Sequence, residues 1–362
     1  MKALIPIIII AFFITGCSPK QPQPPKVAET AVHQTIETTA NIQIEEIASN
    51  LQIPWSIEKI GDIFYLSERR GNIVKVENGN IERQEVHFEK RLSSAAEAGF
   101  LGFVLAPDFS QTNEAYGYYT YEDEFGQYNR IVRLKLNENR WTEEEILLDK
   151  IPSGRVHHGG RLKIGPDGML YATTGDALRS SIAQDVNSLG GKILRIQLDG
   201  SIPSDNPLPN SYAFSYGHRN PQGLTWVSDG TMYASEHGNQ ANDEINRIEK
   251  GENYGWPIIE GTEQRDGMIS PLFTSGPNKT WAPSGMDYFD NKLYVAALRG
   301  NAILEFNLNT MEQKEVVNNL GRIRDILIEG DYLYFITNNA DGRGNPREND
   351  DKLYRLAISN IE

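Results

Sequence analysis

Cysteine is all but absent: Cys17 is the single one in 362 residues, so no internal disulfide can form and stability must come from packing or bound ions. Positive charge is scarce as well. Thirty-five Lys and Arg face 49 Asp and Glu, a formal net charge of −14, which argues against a nucleic-acid partner because that needs a basic face to displace phosphate counterions. A local group of arginines could still hold one small anion. No sustained apolar stripe of helical period runs through the chain. What is present instead, 32 Gly, 16 Tyr and many short apolar runs, indicates turns and strands, in a chain long enough for a large buried core.

The first seventeen residues read as a targeting segment. Met1-Lys2 is a short basic start, residues 3–14 are an apolar run too short to span a membrane, and Thr15-Gly16-Cys17 places small residues before a cysteine. This resembles a bacterial lipoprotein signal, in which Cys17 becomes the lipidated N-terminus; an ordinary secretory signal or a membrane anchor is the alternative. Residues 18–40, rich in Pro and polar residues, have the composition of an extended linker that holds a domain off a membrane.

Repeats in the remaining chain predict its architecture. A turn pair followed by an apolar-Tyr-apolar strand recurs around Tyr65, Tyr171, Tyr233, Tyr294 and Tyr334, with spacings by subtraction of 106, 62, 61 and 40 residues. The first gap is about two repeats, and Ala115-Tyr116-Gly117-Tyr118 supplies the missing copy. Each copy precedes a second strand, such as Ile73-Val74-Lys75-Val76 or Ile193-Leu194-Arg195-Ile196. Strand pairs recurring every 40 to 60 residues without helices between them predict an all-β, six-bladed β-propeller over residues 41–362. A β-sandwich would explain short strands but not the sixfold recurrence.

Three polar clusters stand beside apolar runs: His157-His158-Gly159-Gly160-Arg161, Thr174-Gly175-Asp176, and Gly217-His218-Arg219-Asn220-Pro221-Gln222-Gly223. Together they offer a general base, a carboxylate to orient it and an arginine for an anion or oxyanion. A propeller gathers loops from all its blades at one channel mouth, so these clusters can be neighbours. Glu97, the loop 236–244, Arg299, Arg322 and Arg324 are candidates for the same mouth. Simpler roles exist for each: His157 as a turn residue, Asp176 as a strand cap, His158 and His218 as structural or rim residues. Arg322 and Arg324 flank Ile323 and face one side of a strand, commonly a solvated one. Asn242-Asp243-Glu244 would ordinarily be a solvated loop, and Trp256 and Trp281 blade core or rim.

Gly99-Phe100-Leu101-Gly102, the His157 cluster, Gly190-Gly191-Lys192-Ile193-Leu194-Arg195, the Gly217 cluster, Asp243-Glu244-Ile245-Asn246 and Asn253-Tyr254-Gly255-Trp256-Pro257 occur in an order that resembles the glucose/sorbosone dehydrogenase family. The resemblance covers nearly the whole chain after the linker. It implies a dehydrogenase dependent on pyrroloquinoline quinone (PQQ) that oxidises the anomeric carbon of an aldose to a lactone. In that reading His157 is the general base, Asp176 orients it, and Arg219 with Asn220 contacts the quinone. Glu97, Arg299, Arg322 and Arg324 fall at further cofactor positions. The carbonyls of Gly238 and Asn239 match a Ca²⁺ position beside the cofactor, and Glu244 with the Tyr254 carbonyl a second, more structural one. Implied partners are the sugar, an electron acceptor such as a cytochrome or quinone, and a membrane reached through the N-terminal lipid; a monomer needs no further assumption.

Three positions depart from the glucose enzyme's pattern: Glu97 replaces Gln, Arg299 replaces Lys and Asn239 replaces Pro. An anionic Glu97 beside a tricarboxylate requires protonation or a cationic partner. Two other functions fit a propeller: a calcium-dependent lactonase, which would need carboxylate ligands around a central metal, and a non-catalytic binding propeller. The segments 122–128 and 260–278 follow no motif and are the candidate specificity loops.

Overall fold

The computed structural model describes residues 42–361, so the expected signal and linker lie outside the described residues. After β1 (Ile44–Ala48) come two antiparallel meanders: β2 (Pro54–Ile60), β3 (Ile63–Glu68), β4 (Asn72–Glu77), β5 (Asn80–His87), then β6 (Phe100–Leu105), β7 (Glu114–Asp123), β8 (Gly126–Asn137), β9 (Arg140–Pro152). A short parallel pairing of Val86 with Trp141 and His87 with Thr142 joins them into one eight-stranded sheet. Two four-stranded sheets follow, β10 (Leu162–Ile164), β11 (Leu170–Thr174), β12 (Lys192–Ile196), β13 (Ala213–Tyr216) and β14 (Pro221–Trp226), β15 (Met232–Glu236), β16 (Glu244–Ile248), β17 (Phe273–Thr274). Next comes β18 (Pro283–Phe289), β19 (Lys292–Ala297), β20 (Ala302–Asn307), β21 (Gln313–Asn318), and the last sheet is β22 (Ile323–Glu329), β23 (Tyr332–Thr337), β24 (Leu353–Ala357), completed by β1.

Local chemistry explains the meanders. Asp290 and Asn291 both adopt positive φ, 44° and 58°, the conformation whose twist suits a two-residue hairpin between β18 and β19. At Asp229-Gly230 the Asp229 carboxylate accepts the Thr231 N–H at 2.8 Å and Gly230 takes φ 87°, reversing the chain into β15. The recurring strand pairs of the sequence are the second and third strands of the meanders, and most of their residues are buried.

The first strands, β2, β6, β10, β14, β18 and β22, lie side by side in order, and β22 returns to β2. Apolar clusters fill the space between neighbouring sheets; one packs Ile57, Leu66 and Val74 against Tyr334, Ile336 and Leu353 and so seals the last sheet to the first. β1 completes the last sheet through hydrogen bonds, pairing Ile44 with Leu356 so that the two ends of the described segment share one sheet. This is an all-β, propeller-like ring. At its axis Arg161, 2% exposed, donates to Asp325 at 2.8 Å, to the Gln222 carbonyl at 2.9 Å and to Ser56 at 3.3 Å. Four first strands or their approaches thus meet on one buried guanidinium.

Candidate active site

Adjacent strands in each meander are antiparallel, so the start of a first strand and the end of the second share one face of the ring. His157 precedes β10 and Asp176 follows β11; Arg219 and Asn220 precede β14, while Gly238 and Asn239 follow β15. Glu97 precedes β6, Arg299 follows β19, Arg322 precedes β22 and Arg324 is its second residue. The geometry brings these loops around a cavity of about 640 Å³ whose wall includes Glu97, His157, Arg219, Asn220, Gly238, Asn239, Arg299, Arg322 and Arg324. With Arg69 and Arg343 the wall holds six arginines against three carboxylates, Glu97, Asp243 and Asp341. A chain of net charge −14 has therefore concentrated cations at this one mouth.

His157 and Asp176 form a buried pair, Nδ1 to Oδ1 at 2.7 Å. A carboxylate can only accept, so Nδ1 carries the proton and Nε2 is left with a lone pair. Burial raises the Asp176 pKa, but the bonds from His157, Trp256 Nε1 at 2.8 Å and the Leu178 N–H at 2.9 Å outweigh it, and the carboxyl lies below its ordinary range. His157 has φ 65°, a strained conformation for a non-glycine residue that aims its ring. Close packing beneath it requires glycine at 175, where a Cβ would come within 2.0 Å of the His157 carbonyl oxygen.

Arg219 lies 5.4 Å above the Trp256 ring and donates to the His237 carbonyl at 3.2 Å and the Asn239 carbonyl at 3.5 Å. Its Nε is buried without a partner among the described residues, and burial lowers its pKa. Asn220 is 1% exposed and accepts the Gly159 N–H at 3.0 Å, bridging the first and third polar clusters. Arg322 is held by Asp341 at 2.7 Å; Arg324 donates to Asn338 at 2.9 Å and Gln222 at 2.9 Å, and burial lowers its pKa to about 9. Both arginines face the cavity while Ile323 between them is fully buried in the core. Arg299 is exposed at the rim.

Glu97 is ion-paired with Arg343 and accepts the His157 N–H at 3.2 Å. Burial raises its pKa, yet Arg343, His237 and the His157 N–H prevail and bring it to about 2. The cationic partner that an anionic Glu97 requires is thus present. A depressed pKa makes this pairing fully stabilising above the ordinary carboxyl value of 4.5, and that contribution is lost as pH falls toward about 2. Urea midpoints measured across that window should fall more steeply for the wild-type protein than for Glu97→Gln; parallel curves would show that the pair adds nothing to the fold.

The calcium candidates divide between wall and interior. Gly238 and Asn239 line the cavity, their loop tied by the Gly238 N–H to Asp243 at 2.9 Å. Glu244 and Tyr254 are outside the lining; Glu244 accepts from Gly261 at 3.1 Å, and burial and then Glu236 push its carboxyl up to about 8. Tyr254 stacks on His218, 4.7 Å between ring centres. Among the described residues no group of three or more His, Cys, Asp or Glu is arranged to hold a metal, so a cation at Gly238 and Asn239 would rest on carbonyl oxygens.

Several residues differ from their sequence expectations. Trp256, expected in blade core or rim, orients Asp176, and Asp243, expected in a solvated loop, is 2% exposed and accepts from Thr280 at 2.8 Å and the Ala282 N–H at 2.9 Å. Trp281 is blade core, as expected. His158 is buried between Ser153 and the Ala96 carbonyl, and burial lowers its pKa to about 4. Arg161, one of two arginines in the polar clusters, belongs to the axis and not to the cavity. His237 belongs to the candidate loop 236–244, whereas Arg69, Asp341 and Arg343 carry no motif, and nothing local to them signals their convergence.

Residues 51–355 match the sequence profile described as Glucose / Sorbosone dehydrogenase. Quinoprotein glucose dehydrogenase B of Acinetobacter calcoaceticus is 34% identical over 291 residues, 71% of this chain and 60% of its own length, so the chain spans about three fifths of that relative. An aldose sugar dehydrogenase of Escherichia coli is 28% identical over 350 residues, covering 84% of this chain and 92% of its own. The PQQ-bound aldose sugar dehydrogenase of Streptomyces coelicolor has a similar structure, with a TM-score of 0.81 at 34% identity over 87% of this chain and 98% of that one.

Proposed function

Because the chain belongs to the glucose/sorbosone dehydrogenase family, we propose that it is a PQQ-dependent aldose sugar dehydrogenase that oxidises the anomeric carbon of its sugar to the lactone. The observation that carries this reading is His157 in the wall of an arginine-rich cavity, with Asp176 hydrogen-bonded to it from outside that wall. PQQ is a tricarboxylate, and the surplus of guanidinium groups in that wall fits it in charge and shape. Arg299, Arg322 and Arg324 would hold its carboxylates, Arg219 and Asn220 would contact its quinone end, and Glu97, neutralised by Arg343, borders the site. When bound, the cofactor supplies the hydride acceptor. His157 Nε2 takes the proton of the anomeric hydroxyl, and the Asp176 carboxylate, kept ionised by His157 first and then by Trp256 and the Leu178 N–H, stabilises the imidazolium that results.

The carbonyls of Gly238 and Asn239 would hold a calcium ion beside the cofactor, and Glu244 with the Tyr254 carbonyl would hold a second, more structural one. Support for the first position is that both residues line the cavity, in a loop anchored by the Gly238 N–H to Asp243. We count six blades, one per meander, a reading supported by the ring of first strands. The protein is a monomer tethered to the bacterial cell envelope through lipidated Cys17, and passes electrons to a cytochrome or quinone.

Dye-linked oxidation of a panel of aldoses by the purified protein tests this function. Turnover should appear only with PQQ and Ca²⁺ together. No turnover, with no visible absorbance gained on adding PQQ, would sink the proposal.

A further inference from the structure

A second cavity, of about 580 Å³, adjoins the first and shares Arg299, Arg322 and Arg343 with it. Arg347 adds a fourth guanidinium, and much of the remaining polar wall is amide, Asn301 and Asn345 included. Its one carboxylate, Glu315, lies 3.7 Å from Lys279. Two of the four arginines are matched, Arg322 by Asp341 and Arg343 by Glu97. The other two are not: Arg299 has no side-chain partner among the described residues, and Arg347 donates from its side chain only to the Asn319 carbonyl, at 3.3 Å. Unmatched guanidinium groups across an amide-lined cleft, in a chain of net charge −14, describe a site for an oxyanion on a polyhydroxylated molecule.

We propose that this cavity is a subsite for an anionic group on the sugar, a carboxylate or a phosphate, so that the preferred substrate is an acidic saccharide whose reducing end reaches His157. The inference rests on the dehydrogenase reading of the first cavity. Arg299 stands on the wall shared with the first cavity, whereas Arg347 lines only the second and is left for the saccharide. Glu97, by holding Arg343, keeps that guanidinium between the two cavities.

The test compares three substrates on the PQQ- and Ca²⁺-loaded protein: a neutral disaccharide, the same disaccharide ending in a uronic acid, and a hexose phosphate. KM for one or both anionic sugars should be about tenfold below the neutral one, and Arg347→Gln should raise that KM about tenfold with kcat held, the size expected for one charge-assisted contact. Which anionic sugar shows the effect identifies carboxylate or phosphate as the ligand. Calorimetry with the methyl glycoside of the acidic disaccharide, which cannot be oxidised, reads the subsite independently, and its affinity should fall in Arg347→Gln and at raised salt. Equal KM for all three sugars in an active enzyme overturns the subsite and leaves the dehydrogenase reading intact. If no sugar turns over but the methyl glycoside binds in an Arg347-dependent way, the dehydrogenase reading fails and the anion site stands; if it neither turns over nor binds, both fail.

Discussion

Replacing His157 by glutamine should lower turnover by on the order of 10³-fold, within the range a positioned general base contributes, while cofactor affinity stays near that of the wild type. Glutamine can still donate to Asp176 from its amide, so the local hydrogen bond and the packing over Gly175 are largely kept. What it cannot do is accept a proton at the position of Nε2. The arginines that would contact the cofactor, Arg219 at its quinone end and Arg322 and Arg324 at its carboxylates, keep their contacts to Asn239, Asp341 and Gln222. Single-turnover oxidation and an absorbance titration with PQQ separate the two effects. Turnover within about tenfold of wild type would remove His157 as the base, and a parallel loss of PQQ binding would make it a structural residue.

The largest effect on stability is expected at the axis. Asp325→Ala should cost about 3–5 kcal/mol, because it strands the Arg161 guanidinium in a site where both side chains are almost fully buried. The Asp325 carboxylate also accepts the Ile57 N–H at 2.9 Å, so the first and last meanders lose a shared anchor. Arg161 Nη2 already lacks a partner among the described residues, which leaves little capacity to absorb a further loss. The paired replacement Arg161→Met with Asp325→Leu should recover most of the stability, since two apolar side chains carry no desolvation penalty. Urea unfolding of the single and double variants gives the comparison. A single-variant loss below about 1 kcal/mol would mean that water reaches the guanidinium along the axis.

The parts legible in the sequence were the locally encoded ones. Tyr65, Tyr116, Tyr171, Tyr233, Tyr294 and Tyr334 mark second strands because a turn pair and an apolar strand are neighbours in the chain. The first strands carry no such mark. β22 reads Ile-Arg-Asp-Ile-Leu-Ile-Glu and β18 Pro-Ser-Gly-Met-Asp-Tyr-Phe, with polar residues where the strands meet around the axis and with register shifts near their starts. Their alternation is broken by the environment they enter, and that environment is made by other strands. At His157 the turn reading and the base reading meet: the left-handed turn conformation is what presents the ring to Asp176.

By itself, then, the sequence determined the all-β class, the recurrence of strand pairs, the polar loops that carry His157, Asp176 and Arg219, and the excess of acid over base, all properties of residues close together along the chain. Tertiary structure decided the role of each charge. Arg161 and Arg219 look alike in sequence, each in a short run with histidine and glycine, but Arg161 meets Asp325, 164 residues away, and becomes the buried hub, while Arg219 faces a cavity. Asp243 is an anchor because the backbone of Ala282 folds onto it, and Glu97 is an anion because Arg343, 246 residues further on, reaches across the mouth. A charge takes its function from the partner that the fold brings within hydrogen-bonding distance, and these partners come from distant strands and loops.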